Sequence, residues 1–416
     1  MRLRNETRMQ HPRTNHGETV REMSIRQCAL TREQISRYGR HLILEEFGSE
    51  AQTAVCRAKV LVIGAGGLGA PVLLYLAGAG VGELGIVDGD FVSESNLHRQ
   101  ILHSDSGAEK ALNKAESAAA ACIALNPLIR VHAFPHHFSV ECALGIAKEY
   151  DVLVDCTDNV PTRYLISDVG VRLNKPIVSG AALRMEGQLS VYNFGGGPCY
   201  RCLFPEPPRR EFVTDCSDGG VLGPVPGIVG SMQATEVLKV IAGKGDVLSQ
   251  KMLVMDAMDW KIRVLKLRPK REDCLACSKK IDFETSEIDY VQFCGAPMHD
   301  QPSVSEPSSS VYSISCEDYV KRSSEPHILL DVREPVQFSI CSLASATNIP
   351  ISQISSRVNE VRTLAKSKPV YVMCRRGIFS AKACLILKEA GLLDVVNIAG
   401  GYEAYCRSVD SSFPLY

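Results

Sequence analysis

Val60 to Asp90 reads VLVIGAGGLGAPVLLYLAGAGVGELGIVDGD. A short apolar run breaks at Gly64, an apolar stretch of helical length follows, and a second short run ends at Asp88. Gly64, Gly66 and Gly69 satisfy G-x-G-x-x-G between strand and helix, and Asp88 follows about 20 residues on, where a ribose-binding carboxylate belongs. Glycines let a phosphate approach the backbone, and the helix N-terminus favours negative charge. The stretch predicts strand, glycine loop, helix and strand. Alone it leaves open a nicotinamide-type cofactor, another adenosine nucleotide, or a glycine turn with no ligand.

Outward from it, TREQISRYGRHLILEEFG (from Thr31) has helical periodicity, with Thr31 and Gln34 spaced as a capping box. An Ala-rich helix is predicted over Lys114–Leu125, and DVLVDCTDN (Asp151–Asn159) and KPIVSGAAL (Lys175–Leu183) read as further strands. Alternating strands and helices predict an α/β, doubly wound, mostly parallel Rossmann-like domain. GAPMHDQPSVSEPSSS (Gly295–Ser310) is rich in Ser and Pro and reads as a linker. Beyond it, HILLDVRE, KPVYVMCRRG and DVVNIAGG alternate with helical segments, predicting a second, smaller α/β domain. The expected division is a disordered tail 1–23, a nucleotide-binding domain 24–283, a linker 284–310 and a C-terminal domain 311–416.

The chain has 416 residues, 45% hydrophobic and 22% charged, with net charge −1. That length favours two domains over one core, and the charge balance leaves no electrostatic footprint for direct nucleic-acid binding. No apolar run approaches the ~18 residues of a membrane span. The first twenty residues are polar and basic, with no apolar core for a secretory signal, and Glu6 and Glu18 argue against a mitochondrial presequence. The cytosol is the expected location. In that reducing setting, 16 cysteines point to metal binding or chemistry before disulfides.

SNLHRQ, Ser95 to Gln100, follows closely on Asp88. An arginine beyond a strand end offers bidentate contact to phosphate oxygens, and an amide can orient a leaving group. Lys114 opens its helix as a second cation, and Asp158–Asn159 lie at the same predicted sheet edge. Magnesium takes one or two carboxylates plus phosphates, which suits an isolated Asp158. Each residue alone reads as surface or cap; hydride transfer has no use for their combination.

RYGRH, GAGGLG, VDGD, SNLHRQ and CTDNVPTRY together resemble the adenylation domain shared by ubiquitin-activating enzymes and the bacterial activators of molybdopterin synthase and thiamine sulfur carriers. The resemblance implies ATP binding by Gly67, Asp88, the run Ser95, Asn96, Leu97, His98 and Arg99, Lys114, Asp158 and Asn159. It further implies that Asp158 holds magnesium and that Arg40 reaches the phosphates of the neighbouring subunit in a homodimer.

Two C-x-x-C pairs, CYRC (Cys199, Cys202) and CLAC (Cys274, Cys277), provide the four thiolates of a structural zinc site. A redox pair and fortuitous spacing are the alternatives. Cys216 stands apart in TDCSDGGVLGPVPGIVG, a loop-forming composition. By the resemblance, it forms a thioester with the activated carrier or resolves an acyl disulfide; the sequence leaves both open.

In the C-terminal part, Cys374 follows an apolar strand and precedes a helix, so the amides after it curl round the sulfur and favour a thiolate or persulfide anion. A buried, inert cysteine is the alternative. LLDVRE and NIAGGYEAY flank this loop and resemble the rhodanese, or sulfurtransferase, domain, in which Cys374 carries persulfide and Asp331 and Arg333 support the active loop. CRRGIFS has Phe379 where many members carry arginine or a polar residue. Together the two domains resemble the eukaryotic adenylyltransferase/sulfurtransferases. These imply a ubiquitin-like sulfur-carrier partner ending in Gly-Gly, a cysteine desulfurase or similar sulfur donor, and a role in molybdenum cofactor biosynthesis or tRNA wobble-uridine thiolation. A zinc-stapled NAD-dependent oxidoreductase, or an activator whose rhodanese-like domain is only an interaction module, are the competing readings.

Overall fold

The computed structural model describes residues 28–208, 219–278, 281, 288–295 and 311–416. The chain forms two units, Met1–His299 and Asp300–Tyr416. No helix among the described residues is long and apolar enough to cross a membrane.

In the first unit, β1 (Lys59–Ile63), β2 (Glu83–Val87), β3 (Arg130–Phe134), β4 (Val152–Asp155) and β5 (Ile177–Leu183) run parallel, and β6 (Glu186–Tyr192), β7 (Lys251–Asp256) and β8 (Lys261–Lys266) extend the sheet antiparallel. The order is β3-β2-β1-β4-β5-β6-β7-β8. Strand order reverses between β1 and β4, and a doubly wound sheet binds ligands outside its carboxyl edge at such a switch point. The near-continuous apolar character of β1 is what a strand covered on both faces requires. Val60 and Val62 pack beneath helices Gly69–Ala79, Lys114–Leu125 and Pro224–Ala242, while Leu61 and Ile63 face helices Val140–Ala147 and Val160–Arg172. Burial of each such side chain contributes roughly 1.5–3 kcal/mol.

Caps set the helix starts. Thr31 and Gln34 form the predicted capping box of helix Arg32–Leu42, and Asn113 accepts from Ala115 N and Glu116 N to open Lys114–Leu125. The first helix stops at Leu42, earlier than periodicity alone predicts. Leu44 N bonds His41 O and Phe47 N bonds Leu44 O, a tightened turn that delivers Phe47 to the core. Within the stretch read as a linker, helix Tyr290–Cys294 packs on the core of the first unit. Tyr290 donates its hydroxyl to the buried Asp168, which also receives a bidentate pair from Arg201.

The second unit is a parallel sheet of β9 (Ser313–Ile314), β10 (Ile328–Asp331), β11 (Ala346–Asn348), β12 (Val370–Met373) and β13 (Val395–Ile398), in the order β11-β10-β12-β13-β9. β12 is buried throughout and ends directly at Cys374.

Candidate active sites

The first site forms at the carboxyl ends of β1, β2 and β4. Helix Gly69–Ala79 starts immediately after the glycine loop, and a Cβ on Gly69 would lie 2.0 Å from Gly64 O, so only glycine lets helix and strand approach this closely. Asp88, the first residue beyond β2, accepts Ala65 N at 2.8 Å and Asp90 N at 2.9 Å, locking the loop against the second strand. Burial pushes its carboxyl above the ordinary range, with Lys114 and the two amides pulling the other way. Lys114 is itself buried and paired with Asp90 Oδ2 at 2.8 Å. The cation predicted for phosphate is therefore paired with a carboxylate.

Arg99 Nη2 donates to Asn96 Oδ1 at 2.7 Å, and Nη1 lies 2.7 Å from His98 Nε2. A guanidinium cannot accept, so His98 receives that bond as a neutral ring; burial and then the charge of Arg99 push its pKa down. Asn96 closes a 3-10 turn, Glu94–Asn96, and Ser95 bonds Ser93 Oγ at 3.0 Å. Leu97 follows at the end of that turn. Gly67 faces Arg99 Cγ, 3.6 Å from where a Cβ would stand, so the loop and the arginine are neighbours.

β4 ends at Asp155, three residues before Asp158, because Asp155 turns its carboxylate inward. Its oxygens receive Thr157 Oγ1 and Ser179 Oγ at 2.6 Å and Arg163 Nε at 3.1 Å. This buried cluster holds the loop that exposes Asp158. Asn159 caps helix Val160–Arg172 through Thr162 N at 2.9 Å, a structural use of its oxygen that leaves its NH2 group for a ligand. Arg40 is exposed in the last turn of helix Arg32–Leu42. Sequence reading did not single out the Asp155 cluster, or His103, whose Nε2 contacts Ala65 O at 2.9 Å and whose Nδ1 contacts Ser117 at 3.0 Å. The only signal was their place inside the motifs: Asp155 precedes CTDN, and His103 lies three residues past SNLHRQ.

The four knuckle cysteines converge. Their sulfurs lie within 4.8 Å of one another, with Cys199–Cys274 at 3.6 Å, Cys202–Cys277 at 3.7 Å and Cys199–Cys277 at 3.5 Å. A zinc tetrahedron with bonds of about 2.3 Å has sulfur–sulfur edges of about 3.8 Å, so donor type, number and spacing fit that ion. Cys216 lies outside the described residues.

In the second unit, Cys374 is 1% exposed, and its sulfur receives Gly377 N at 3.1 Å and contacts Ser380 Oγ at 3.2 Å. Gly377 is left-handed, with φ 85°, and opens helix Ile378–Glu389, which curls the loop round the sulfur as predicted. A Cβ on Gly401 would stand 2.0 Å from Cys374 O, so NIAGGYEAY supplies the close approach that backs the loop. Asp331 and Arg333, both buried, form a bidentate pair; Arg333 also donates to Cys341 O at 2.7 Å and lies 4.0 Å from the Tyr402 ring. Phe379 is 46% exposed, pointing out of the loop it was flagged in.

Both units match known protein families. Residues 38–276 match the ThiF family and residues 315–408 the rhodanese-like domain. The chain is similar to adenylyltransferase and sulfurtransferase MOCS3-1 of Zea mays, 46% identical over 93% of this chain and 85% of that one, and to MOCS3 of Drosophila yakuba, 45% identical over 93% and 86%. Among solved structures, Escherichia coli MccB in crystals with ATP shares the fold, with TM-score 0.51 at 21% identity over 60% of this chain and 75% of that one. With both catalytic units present over nearly its whole length, the chain belongs to the ThiF-type adenylyltransferase and sulfurtransferase family named MOCS3.

Proposed function

We propose that this enzyme activates the Gly-Gly carboxylate of a small ubiquitin-like sulfur carrier and converts it to a thiocarboxylate, for molybdenum cofactor biosynthesis, tRNA wobble-uridine thiolation, or both. The carrier carboxylate attacks the α-phosphorus of ATP, and pyrophosphate leaves. Carboxylate is a poor electrophile, whereas the mixed anhydride carries AMP as a good leaving group. Positioning and charge neutralisation supply most of the rate in such a step. Arg99, fixed by Asn96 and His98, faces the glycine loop and meets the phosphates; Lys114 exchanges Asp90 for a phosphate oxygen; Asp88 takes the ribose. Exposed Asp158 suits magnesium, which when bound neutralises phosphate charge.

Sulfur transfer follows at Cys374. Its persulfide, loaded by a cysteine desulfurase or similar donor, attacks the acyl carbon through the terminal sulfur, and AMP leaves. The product is an acyl disulfide. A second thiol, Cys216 or another, attacks the Cys374 sulfur; the carrier leaves as thiocarboxylate, and the remaining disulfide is reduced by an external thiol. A thioester at Cys216 is the alternative use of that residue. Cys199, Cys202, Cys274 and Cys277 would hold a structural zinc ion, whose role would be to tie the two segments together.

A homodimer, with Arg40 reaching the partner's nucleotide, is supported by the exposed helix carrying it and by Ile43 and Leu44, which are 73% and 49% exposed beside it. Ile262 and Val264 alternate along edge strand β8, with Trp260 in the turn before it, and all three are at least half exposed, an apolar strip suited to a carrier's face. A cytosolic setting accords with so many free thiols.

The observation that carries this reading is the convergence of Gly67, Asp88, Arg99 and Asp158 on one sheet edge in a chain that also cradles Cys374. The test is labelled pyrophosphate–ATP exchange with a Gly-Gly carrier, followed by the carrier's mass after a persulfide source is added. Exchange together with replacement of one oxygen by sulfur, the latter lost in Cys374→Ala, is expected. No exchange refutes the adenylation step; exchange without sulfur uptake refutes the role of Cys374 and favours an interaction module.

A further inference from the structure

Ser380 lies six residues past Cys374, in the first turn of helix Ile378–Glu389, which the left-handed Gly377 opens. Its side chain is wholly buried. A serine inside a helix ordinarily turns its hydroxyl to solvent or to the carbonyl four residues back. Here Ser380 Oγ stands 3.2 Å from the Cys374 sulfur, which is the hydroxyl's only hydrogen-bond partner among the described residues. The sulfur also receives Gly377 N at 3.1 Å, so an amide and a hydroxyl meet on the same atom. Ala383, Cys384 and Leu387 continue the buried face of the helix beyond Ser380, and in such a dry setting a hydrogen bond is stronger than in water.

Which sulfur these groups touch decides what they do. In a persulfide the negative charge sits on the terminal sulfur, and Sγ is a neutral, weakly accepting atom. When a nucleophile takes the terminal sulfur, the S–S bond breaks, its electron pair goes to Sγ, and Cys374 becomes a thiolate. A thiolate has no proton to donate, so the hydroxyl is then the donor, and a hydrogen bond to an ionised acceptor is roughly twice as strong as one to a neutral acceptor. The contact therefore strengthens as Sγ leaves, which is the condition for lowering the barrier of that step. A reaction of the terminal sulfur that keeps the S–S bond whole gains nothing from it.

We propose that Ser380 is a catalytic residue of the sulfur-transfer unit, whose hydroxyl stabilises Cys374 Sγ as a leaving thiolate. This rests on Cys374 being the sulfur carrier. In the scheme above, the step it serves is the final reduction. An external thiolate attacks the second thiol's sulfur, the disulfide breaks, and the electron pair returns to Sγ. Discharge of the persulfide to cyanide breaks a bond to the same atom and isolates the effect.

The experiment uses the full chain as parent, Ser380→Ala and Ser380→Thr, each loaded with glutathione persulfide and followed at the Cys374 peptide by mass spectrometry. Two reactions are compared. Cyanide removes the terminal sulfur as thiocyanate, with Sγ leaving; iodoacetamide alkylates the terminal sulfur, with the S–S bond intact. Expected for Ser380→Ala is a fall of about 10-fold in discharge to cyanide, with alkylation within about twofold of the parent. Ser380→Thr keeps the hydroxyl and stays within about threefold in both. If a lowered melting temperature shows that the extra methyl of Thr does not fit, the two reactions of Ser380→Ala decide alone. Equal slowing of both reactions in Ser380→Ala overturns the proposal in favour of packing, and no slowing of discharge shows the contact to be idle. Failure of the underlying reading looks different: Cys374→Ala would then still convert the carrier to thiocarboxylate, whatever Ser380 does.

Discussion

Replacing Arg99 tests the nucleotide site most directly. In the structure its guanidinium spends one N–H on Asn96 and one on His98, both at 2.7 Å. These bonds fix the orientation of the side chain, whose Cγ lies beside Gly67 of the glycine loop. A preorganised donor aimed at developing charge is worth about 2.7–4 kcal/mol, or about 10²–10³ in kcat. Arg99→Ala is therefore expected to lower carrier-dependent pyrophosphate exchange by about that factor. Arg99→Lys keeps the charge but cannot hold both neighbours, so a loss of about tenfold is expected. The two hydrogen bonds lost in the fold contribute about 0.5–1.5 kcal/mol each at most, because the groups are partly exposed. Thermal unfolding should thus move by no more than a few degrees, separating chemistry from stability. Exchange by Arg99→Ala within about threefold of the parent, with the protein folded, would refute the claim that this arginine meets the phosphates.

Other outcomes follow from the same geometry. Gly69→Ala places a methyl 2.0 Å from a backbone oxygen, so loss of ATP binding and a markedly lowered melting temperature are expected, read by calorimetry with and without nucleotide. The proposed zinc site predicts one ion per chain by plasma mass spectrometry, reduced in Cys274→Ser together with a loss of several kcal/mol in urea unfolding. Burial depresses the His103 pKa below its ordinary 6.5. Its contribution to stability is thus full above pH 6.5 and is lost as pH falls through the lower folded value. His103→Gln should flatten the decline in melting temperature between about pH 6.5 and 5; an unchanged slope would remove His103 from that account.

The frame of both units was readable because periodicity and turn chemistry act locally. β1, the glycine loop and the Lys114–Leu125 helix need only their own residues and caps, and they stand where the sequence places them. The rhodanese loop was equally local: a strand, Cys374, a left-handed glycine, a helix. What could not be read was partner choice over long separation. Nothing in the sequence pairs Lys114 with Asp90, or sets Tyr290 on Asp168, 122 residues away. The end of the first helix depended on Phe47 finding the core. Asp155 looked like one more strand residue, yet it is the buried anchor that presents Asp158. The residues proposed to meet phosphate were recognisable as motif members; the network that holds them was not.

The two cysteine pairs meet across 75 residues of chain. During synthesis the first pair leaves the ribosome with two of the four thiols and must wait while β7 and β8 are made. Until then its thiols are open to oxidants and to mismatched metals. Closure of that cluster thus ties the segment after β8 back to the middle of the first unit, and helix Tyr290–Cys294 then remains to be laid on its core.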